Sequence, residues 1–243
     1  MTYAVALNLE RGMVFAADTR TNAGVDNISQ FRKLHYWNRP GERVLVLLTA
    51  GNLAVTQSVV SLLNEQLTAE PAPDKPTLMT VRSMYRAARL VGEAVREIRV
   101  LDGEALEASA GFSASFILGG QIGAEPPRLY QIYSEGNFVE STEDTPYLQI
   151  GEHKYGKPIL DRVTHADMRL GEAAKLILLS FDSTLRSNLS VGMPIDLLIY
   201  ERDSLEIGQL HRIDKDNEYF RRLSKAWSDA LRASVEKMEE FQA

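Results

Sequence analysis

The chain has 243 residues, of which 44% are hydrophobic and 25% are charged. This composition is typical of a globular protein and excludes disorder as the main state. The formal net charge of −6 excludes the basic footprint that nucleic-acid-binding domains usually carry. There are no cysteines, which excludes disulfides, thiol catalysis and thiolate metal sites together.

The sequence pattern also predicts neither a signal peptide nor a membrane-spanning segment. The first residues, MTYAVALNLERG, have neither the basic n-region nor the long apolar h-region of a signal peptide. No apolar run approaches the roughly 18 residues of a membrane span. We therefore predict a cytoplasmic protein without a membrane contact. Because no linker, repeat or low-complexity segment interrupts the chain, we also predict a single domain over residues 1–243.

The first half of the chain combines strand patterns with two helices. Short apolar segments bounded by polar turns predict four strands. They are Tyr3–Leu9, Met13–Asp18, Ser29–Trp37 and Arg43–Thr49. We expect them to form one antiparallel meander. Helical spacing then predicts a helix from Gly51 and a second over Leu78–Arg99, whose inward face includes Tyr85. The two helices should form a hairpin that covers one face of a sheet.

The second half repeats this grouping. Strand patterns are followed by two helices, two further strands and a long final helix. The segments are Gly111–Gly119, Arg128–Tyr133, Tyr147–Ile150, His153–Val163, Gly171–Arg186, Ile195–Tyr200, Glu206–Arg212 and Asn217–Phe241. Clustered strands with grouped helices favour an α+β sandwich over an alternating parallel fold.

The final helix has an apolar stripe on an otherwise polar surface. The stripe consists of Phe220, Leu223, Trp227, Leu231, Val235 and Met238. We interpret it as the cover of a sheet. The alternative is a contact between subunits.

Thr2 is the first candidate for chemistry. Initiator methionine is commonly removed when a small residue follows it, and removal here would leave a threonine with a free α-amine. The pKa of such an amine is about 7.7–8.0, so roughly a tenth is unprotonated at neutral pH. The amine could take the proton from the hydroxyl of its own residue, directly or through a water. Many proteins begin with Met-Thr, so this feature gains weight only from its surroundings.

Three further residues, Asp18, Lys33 and Gly51, are of types and at positions that could support a Thr2 nucleophile. Asp18 ends the second apolar strand, and a buried acid there needs a cationic partner, for which Lys33 is available. A lysine held beside the Thr2 amine would favour its neutral form. Gly51 lies at a strand-to-helix junction, where a backbone N–H can stabilise an oxyanion. A surface ion pair and an ordinary helix start are the simpler alternatives.

Taken together, these residues resemble the proteasome β-subunit superfamily of N-terminal-nucleophile hydrolases. The resemblance rests on Thr2, the phrase AADTRTNAG at 16–24, Lys33, the TAGN turn at 49–52, and Ile150-Gly151 before a helix. Within that superfamily the chain is most similar to the bacterial ancestral-β-subunit group, Anbu. The motifs fall mainly in the first fifty residues, and the order of elements agrees over the rest.

The resemblance implies a four-layer αββα sandwich of two antiparallel sheets between helical layers. It also implies Thr2 as nucleophile, Asp18 and Lys33 as its electrostatic support, the Gly51 N–H as oxyanion donor, and Ser190 as a supporting residue. An apolar P1 pocket would be lined by Thr21, Phe31, Thr49 and Leu53, with Asn22 and Gly51 pairing the substrate backbone as an added strand. No cofactor is implied.

Two positions depart from the pattern of the family. Glu152 stands where a serine usually follows the glycine, and Ser187 stands where the supporting aspartate of Asp-x-x-Ser is usual. A carboxylate at 152 is expected to raise the pKa of the Thr2 amine unless it points elsewhere.

Other candidate sites have weaker patterns. The four histidines lack metal-ligand spacing, and GGQIG at 119–123 lacks a nucleotide-binding fingerprint. Residues 214–217, Asp-Lys-Asp-Asn, are more typical of a helix cap than of a calcium loop.

The leading hypothesis is therefore a threonine peptidase or amidohydrolase that acts through an ester on Thr2. The alternatives are a small-molecule amidohydrolase with the same nucleophile and a self-assembling scaffold with little or no activity. The resemblance implies a homo-oligomer, either a closed ring or an open helix, because a small change of rotation at a heterologous interface decides closure. Nothing in the sequence identifies an unfoldase partner.

Overall fold

A computed structural model describes residues 1–22, 28–68, 75–107 and 111–242. Within these ranges the chain forms five helices and twelve strands. The helices are α1 (Leu53–Thr68), α2 (Met84–Glu107), α3 (Lys157–Val163), α4 (Leu170–Ser187) and α5 (Glu218–Glu236). The strands are β1 (Tyr3–Leu9), β2 (Gly12–Asp18), β3 (Arg20–Asn22), β4 (Ile28–Gln30), β5 (Leu34–Arg39), β6 (Arg43–Gly51), β7 (Ala114–Ile122), β8 (Arg128–Ile132), β9 (Phe138–Glu140), β10 (Tyr147–Gly151), β11 (Ile195–Glu201) and β12 (Gln209–Ile213).

The strands form two five-stranded antiparallel sheets and a short ribbon. The first sheet has the order β10-β1-β2-β11-β12, and the second has the order β5-β6-β7-β8-β9. The ribbon consists of β3 and β4. The first sheet places β1, which begins one residue after Thr2, at its interior between β10 and β2.

Four layers follow from where the apolar side chains go. Ala6 and Phe15 of the first sheet pack against Val46 and Ile117 of the second, so the two sheets face each other. The opposite face of the second sheet packs against α1 and α2, and that of the first packs against α3, α4 and the start of α5. Because each sheet is covered on both faces, β1 and β6 are almost continuously buried and lack polar alternation. This arrangement confirms the predicted α+β sandwich.

The predicted single meander is wrong. β1 pairs with β2, and β5 pairs with β6, but these two hairpins belong to different sheets. β2 instead pairs with β11, which comes from the other end of the chain. Apolar alternation shows which faces of a strand are buried, but it carries no information about a distant partner.

Several predicted boundaries also move. The strand expected over Ser29–Trp37 is interrupted at residues 31–33, where the chain passes from the ribbon to the second sheet. The second helix begins later than predicted, because Thr77 and Thr80 form a hydrogen-bonded turn before it, and it also ends later, at Glu107. Tyr85, predicted to face inward, is 45% exposed and stacks edge-on against Phe138.

Two elements in the second half are shorter than predicted. α3 begins at Lys157 rather than at His153, and the last strand begins at Gln209 rather than at Glu206. The apolar stripe of α5 is buried at Phe220 and half-buried at Trp227, but Leu231 and Val235 are exposed. The sheet-covering interpretation therefore holds only for the first turns of α5. In the described residues, no helix has the length and apolar character needed to cross a membrane.

Candidate active site

Asp18 is the centre of a buried polar cluster at the end of β2. Its carboxylate is fully buried and accepts hydrogen bonds from the backbone N–H of Tyr3 at 3.0 Å and of Gly192 at 3.2 Å. The Lys33 ammonium donates to the same oxygen as Tyr3, Oδ1, at 2.8 Å. Burial raises the pKa of the Asp18 carboxyl, and the Lys33 ammonium and the two N–H donors oppose that shift.

Lys33 lies at the point where the chain enters β5. Lys33 as a whole is only 4% exposed. Its ammonium also donates to the carbonyl of Arg20 at 2.6 Å. The Lys33 carbonyl accepts from the Thr49 N–H at 2.9 Å, which ties this segment to β6. Burial lowers the pKa of Lys33, and Asp18 opposes that shift. The ion pair thus places the ammonium of Lys33 at a largely buried position next to the Asp18 carboxylate.

Thr2 immediately precedes Tyr3, whose N–H donates to Asp18. Thr2 is 6% exposed, whereas Met1 before it is 65% exposed. The Thr2 carbonyl accepts a 2.6 Å hydrogen bond from the N–H of Glu152, just beyond β10. The α-amine of Met1 has a pKa lowered by burial and by Lys33, while Asp18 acts in the opposite direction. The chain start therefore lies within electrostatic reach of both charged residues.

Gly51 occupies the junction between β6 and α1. Its φ of +110° is favourable only for glycine, and an added Cβ would lie 2.3 Å from the carbonyl oxygen of Ser113. The next residue, Asn52, caps α1 by accepting from the Ala54 N–H at 3.0 Å. The exposed Gly51 therefore lies where the positive end of the α1 dipole begins.

The segment after α4 supplies residues that the sequence reasoning missed. Gly192 donates to Asp18, and Asn188 is buried and contacts Glu152. The predicted Ser190 is half-buried in this segment, and its N–H donates to the Asn188 side chain at 2.9 Å. No local pattern indicated Gly192 or Asn188, because their partners are more than thirty residues away along the chain.

The predicted pocket residues lie on elements that flank this cluster. Thr49 is buried at the end of β6, Leu53 begins α1, and Phe31, 37% exposed, donates its N–H to the Thr19 carbonyl. Thr21 lies in β3, and its buried hydroxyl has no hydrogen-bond partner among the described residues. The side chain of Asn22 lies outside the described residues.

A groove of about 1180 Å³ lies between α4 and α5. Its lining combines basic residues such as Arg20, Arg186, Arg221 and Arg222 with acidic and apolar side chains. Thr2, Lys33 and Gly51 do not line it, but Gly192, which donates to Asp18, and Arg20, whose carbonyl accepts from Lys33, do, so the groove borders the Asp18 cluster. Within the described ranges, no three histidine, aspartate or glutamate residues are grouped so that they could hold a metal ion.

Solved structures closely similar to this chain come from several bacteria. An Anbu mutant from Hyphomicrobium sp. strain MC1 is 67% identical over 100% of both chains, with a TM-score of 0.95. Anbu from Yersinia bercovieri is 50% identical over 99% of this chain and 100% of its own, with a TM-score of 0.92. This chain belongs to the Anbu family. Its sandwich is accordingly the N-terminal-nucleophile hydrolase fold of the proteasome-like proteins.

A third Anbu structure, a helical assembly of the complex from Pseudomonas aeruginosa, is 48% identical over 99% of this chain and 98% of its own, with a TM-score of 0.94. No family model and no protein of curated function matches this chain. The Anbu identification therefore rests on solved structures that share both sequence and fold over the full length compared.

Proposed function

We propose that this Anbu protein is a threonine hydrolase that cleaves peptide or amide bonds with Thr2 after Met1 has been removed. One observation carries the proposal: Asp18 Oδ1 accepts from both the Lys33 ammonium and the Tyr3 N–H, so the lysine charge lies beside the first residues of β1. The exposed Met1 before a buried Thr2 is consistent with a removable residue in front of a positioned one.

The proposed reaction uses the α-amine of Thr2 as the base. The amine takes the proton of the Thr2 hydroxyl while the oxygen attacks the carbonyl carbon of the substrate. Collapse of the tetrahedral intermediate breaks the C–N bond, and the ammonium returns its proton to the leaving amine. Water then attacks the ester, with the amine again holding the proton, which releases the acid and regenerates the hydroxyl. Every proton is thereby shuttled by one group.

Lys33 and Gly51 have distinct roles in this proposal. The Lys33 charge favours the neutral amine by repulsion and stabilises the negative charge that develops on the Thr2 oxygen. Two acceptors face the ammonium within the described part of the chain, Asp18 Oδ1 and the Arg20 carbonyl. Its remaining N–H is available to Thr2. The Gly51 N–H, near the positive end of α1, would stabilise the oxyanion.

The substrate would bind as an extended strand. β3 pairs with β4 along one edge, and among the described residues no strand pairs with its other edge. A peptide added there, between β3 and the end of β6 at Gly51, would use backbone hydrogen bonds for affinity. The unpaired Thr21 hydroxyl supports this location, since a buried hydroxyl gains a partner when a ligand binds. Phe31, Thr49 and Leu53 would make the P1 pocket apolar.

The proposal predicts a covalent adduct that depends on a free Thr2 amine. A peptide epoxyketone closes a ring with both the hydroxyl and the α-amine of an N-terminal threonine. Processed protein, checked for loss of Met1 by intact mass, should gain one probe mass per chain. Thr2→Ala, which keeps a small second residue and so permits methionine removal, should gain none. The exposed Thr68→Ala should react like the wild type.

Processed protein that forms no adduct, or an adduct that persists in Thr2→Ala, would contradict the threonine mechanism. The first result would favour the scaffold alternative. If the adduct forms, cleavage of a peptide library separates a peptidase from a small-molecule amidohydrolase. A strict preference for a charged P1 residue would reject the apolar pocket.

We also propose that this chain forms a homo-oligomer through the exposed end of α5. Leu231 is 47% exposed and Val235 is 68% exposed, and Met238 and Phe241 beyond the helix are exposed as well. An exposed apolar stripe of this kind is typical of an interaction surface. The helical assembly described for the Pseudomonas aeruginosa relative supports a second copy as the occupant.

If the exposed apolar stripe of α5 is a subunit interface, charged residues introduced into it should weaken the assembly. Leu231→Glu with Val235→Glu should lower the molar mass measured by light scattering to that of a smaller species, because two carboxylates would be buried without partners. Ala226→Glu with Ala233→Glu adds the same charge to another exposed face of α5 and should leave the mass unchanged. Equal masses for the two double variants would rule out this interface.

A further inference from the structure

Glu152 is a buried carboxylate one residue beyond β10. It is 6% exposed, and its backbone N–H donates to the Thr2 carbonyl. Burial raises the pKa of a carboxyl in this position, but the N–H of Lys154 and the side-chain amide of Asn188 outweigh it and hold the pKa of Glu152 below its ordinary value. Glu152 is therefore a negatively charged residue whose backbone touches the proposed nucleophile.

The two carboxylate oxygens of Glu152 have separate partners. Oε1 accepts from the Lys154 N–H at 2.8 Å, and Oε2 accepts from the Asn188 side-chain NH₂ at 2.7 Å. The carbonyl oxygen of the Asn188 amide then accepts from the Ser190 N–H at 2.9 Å. Because the amide must offer its NH₂ to an anion on one side and its oxygen to an N–H on the other, only one orientation satisfies both contacts.

These contacts close a loop around the chain start. From the Thr2 carbonyl the hydrogen bonds lead through Glu152 and Asn188 to Ser190. Two residues later, Gly192 donates to Asp18, and Asp18 accepts from the Tyr3 N–H next to Thr2. The segment 188–192 is thus attached to the strand of Thr2 at both of its ends.

We propose that Glu152 and Asn188 form a positioning pair that ties the segment 188–192 to the strand carrying Thr2. Neither side chain reacts in this scheme. Their hydrogen bonds hold Gly192 where it can support Asp18, and hold the Thr2 backbone where its amine faces Lys33. The consequence for reactivity rests on the proposed function, whereas the tie itself is a property of the folded chain.

The carboxylate of Glu152 and the amide of Asn188 can be exchanged between the two positions, which provides a test of the pair. In Glu152→Gln, the new amide cannot accept from both the Lys154 N–H and the Asn188 NH₂, so one contact is lost. In Asn188→Asp, two carboxylates face each other. In the double variant Glu152→Gln with Asn188→Asp, the glutamine accepts from Lys154 and donates to the aspartate, which accepts from Ser190. All three hydrogen bonds return with the charge moved to residue 188.

The test compares the wild type with the two single variants and the exchanged pair. The epoxyketone adduct rate is measured against pH on processed protein, and hydrogen exchange of the Ser190 and Gly192 amides is measured on the same samples. We expect each single variant to react about tenfold more slowly, the loss typical of a broken buried hydrogen bond, and to exchange faster at Ser190. The midpoint of the pH profile should stay in place. The exchanged pair should recover both the rate and the slow exchange.

Two results would overturn the positioning pair. One is an exchange rate at Ser190 that is the same in all four proteins. Another is a Glu152→Gln variant that reacts faster with a lowered pH midpoint, which would mean that Glu152 acts through its charge on the amine. If the wild type forms no adduct, the proposed function fails, but the Ser190 exchange still decides whether the pair ties the segment. The thermal unfolding midpoint of the exchanged pair is also measured. If it equals that of the wild type, the recovered adduct rate does not come from a change in overall stability.

Discussion

Replacing Lys33 with methionine is expected to abolish the reaction of Thr2 and to lower the free energy of unfolding by about 3–5 kcal/mol at neutral pH. The ammonium and the Asp18 carboxylate are both buried, 2.8 Å apart. Removal of one partner leaves the other charge without its main compensation, which costs more than the pair itself contributes. Chemical denaturation and the epoxyketone adduct measure the two effects separately.

The pH dependence of this loss has a definite sign. Without Lys33, burial raises the pKa of Asp18 in the folded state further above its unfolded value. The folded state then holds its proton more tightly, so the variant is least destabilised at acidic pH. Both proteins share the unfolded-state titration of Asp18, so the stability of the variant relative to the wild type should fall as the pH rises from the folded-state pKa of Asp18 in the wild type to its higher folded-state pKa in the variant.

Two control variants sharpen the Lys33 prediction. Lys215→Met removes an exposed ammonium and should change neither stability nor reaction. Asp18→Asn with Lys33→Met removes both buried charges and should regain part of the stability without regaining the adduct. A Lys33→Met protein that is as stable and as reactive as the wild type would show that the ion pair has neither role.

Substitution of alanine for Gly151 is expected to lower the free energy of unfolding by about 2–4 kcal/mol, through overpacking and backbone strain. An added Cβ would lie 2.1 Å from the Thr2 carbonyl oxygen, and φ is +81°. Thr2 would have to move away from β10, which breaks its hydrogen bond from Glu152. The adduct rate should therefore fall along with stability, and both are measured as for Lys33.

Gly171→Ala is the matched control for this substitution. Gly171 lies in the first turn of α4, has no positive φ, and has no atom within 4 Å of an added Cβ. The same chemical change should there stabilise the protein by roughly 0.5–1 kcal/mol, because alanine loses less conformational entropy than glycine. If Gly151→Ala were as stable and reactive as the wild type, the close contact with Thr2 would not constrain the site.

The order of elements and the fold class could be predicted from local patterns. The apolar runs of β1, β2 and β6 and the amphipathic α1 were located within about two residues, because each buries a continuous set of side chains. The sequence could not predict that β2 pairs with β11. It also could not predict where along α5 the apolar stripe changes from buried to exposed. Those features depend on partners distant in the chain.

Some residues of the candidate site could likewise be predicted from the sequence, and others could not. Thr2, Asp18, Lys33 and Gly51 could be chosen from their residue types and their positions at strand ends. Asn188 and Gly192 could not, since an asparagine and a glycine after a helix are typical of an ordinary turn. Their contacts with Glu152 and Asp18 appear only when α4 and β11 pack against the first sheet.

The sequence by itself thus determined where the helices and most of the longer strands lie, the membership of Thr2, Asp18 and Lys33 in one candidate cluster, and the resemblance to the proteasome-like proteins. The tertiary structure alone decided that Glu152 turns its carboxylate to Lys154 and Asn188, and that segment 188–192 reaches Asp18. The physical reason is distance along the chain. Periodicity and propensity report on neighbours in sequence, whereas a buried charge is satisfied by whichever donor the packing of the layers brings to it.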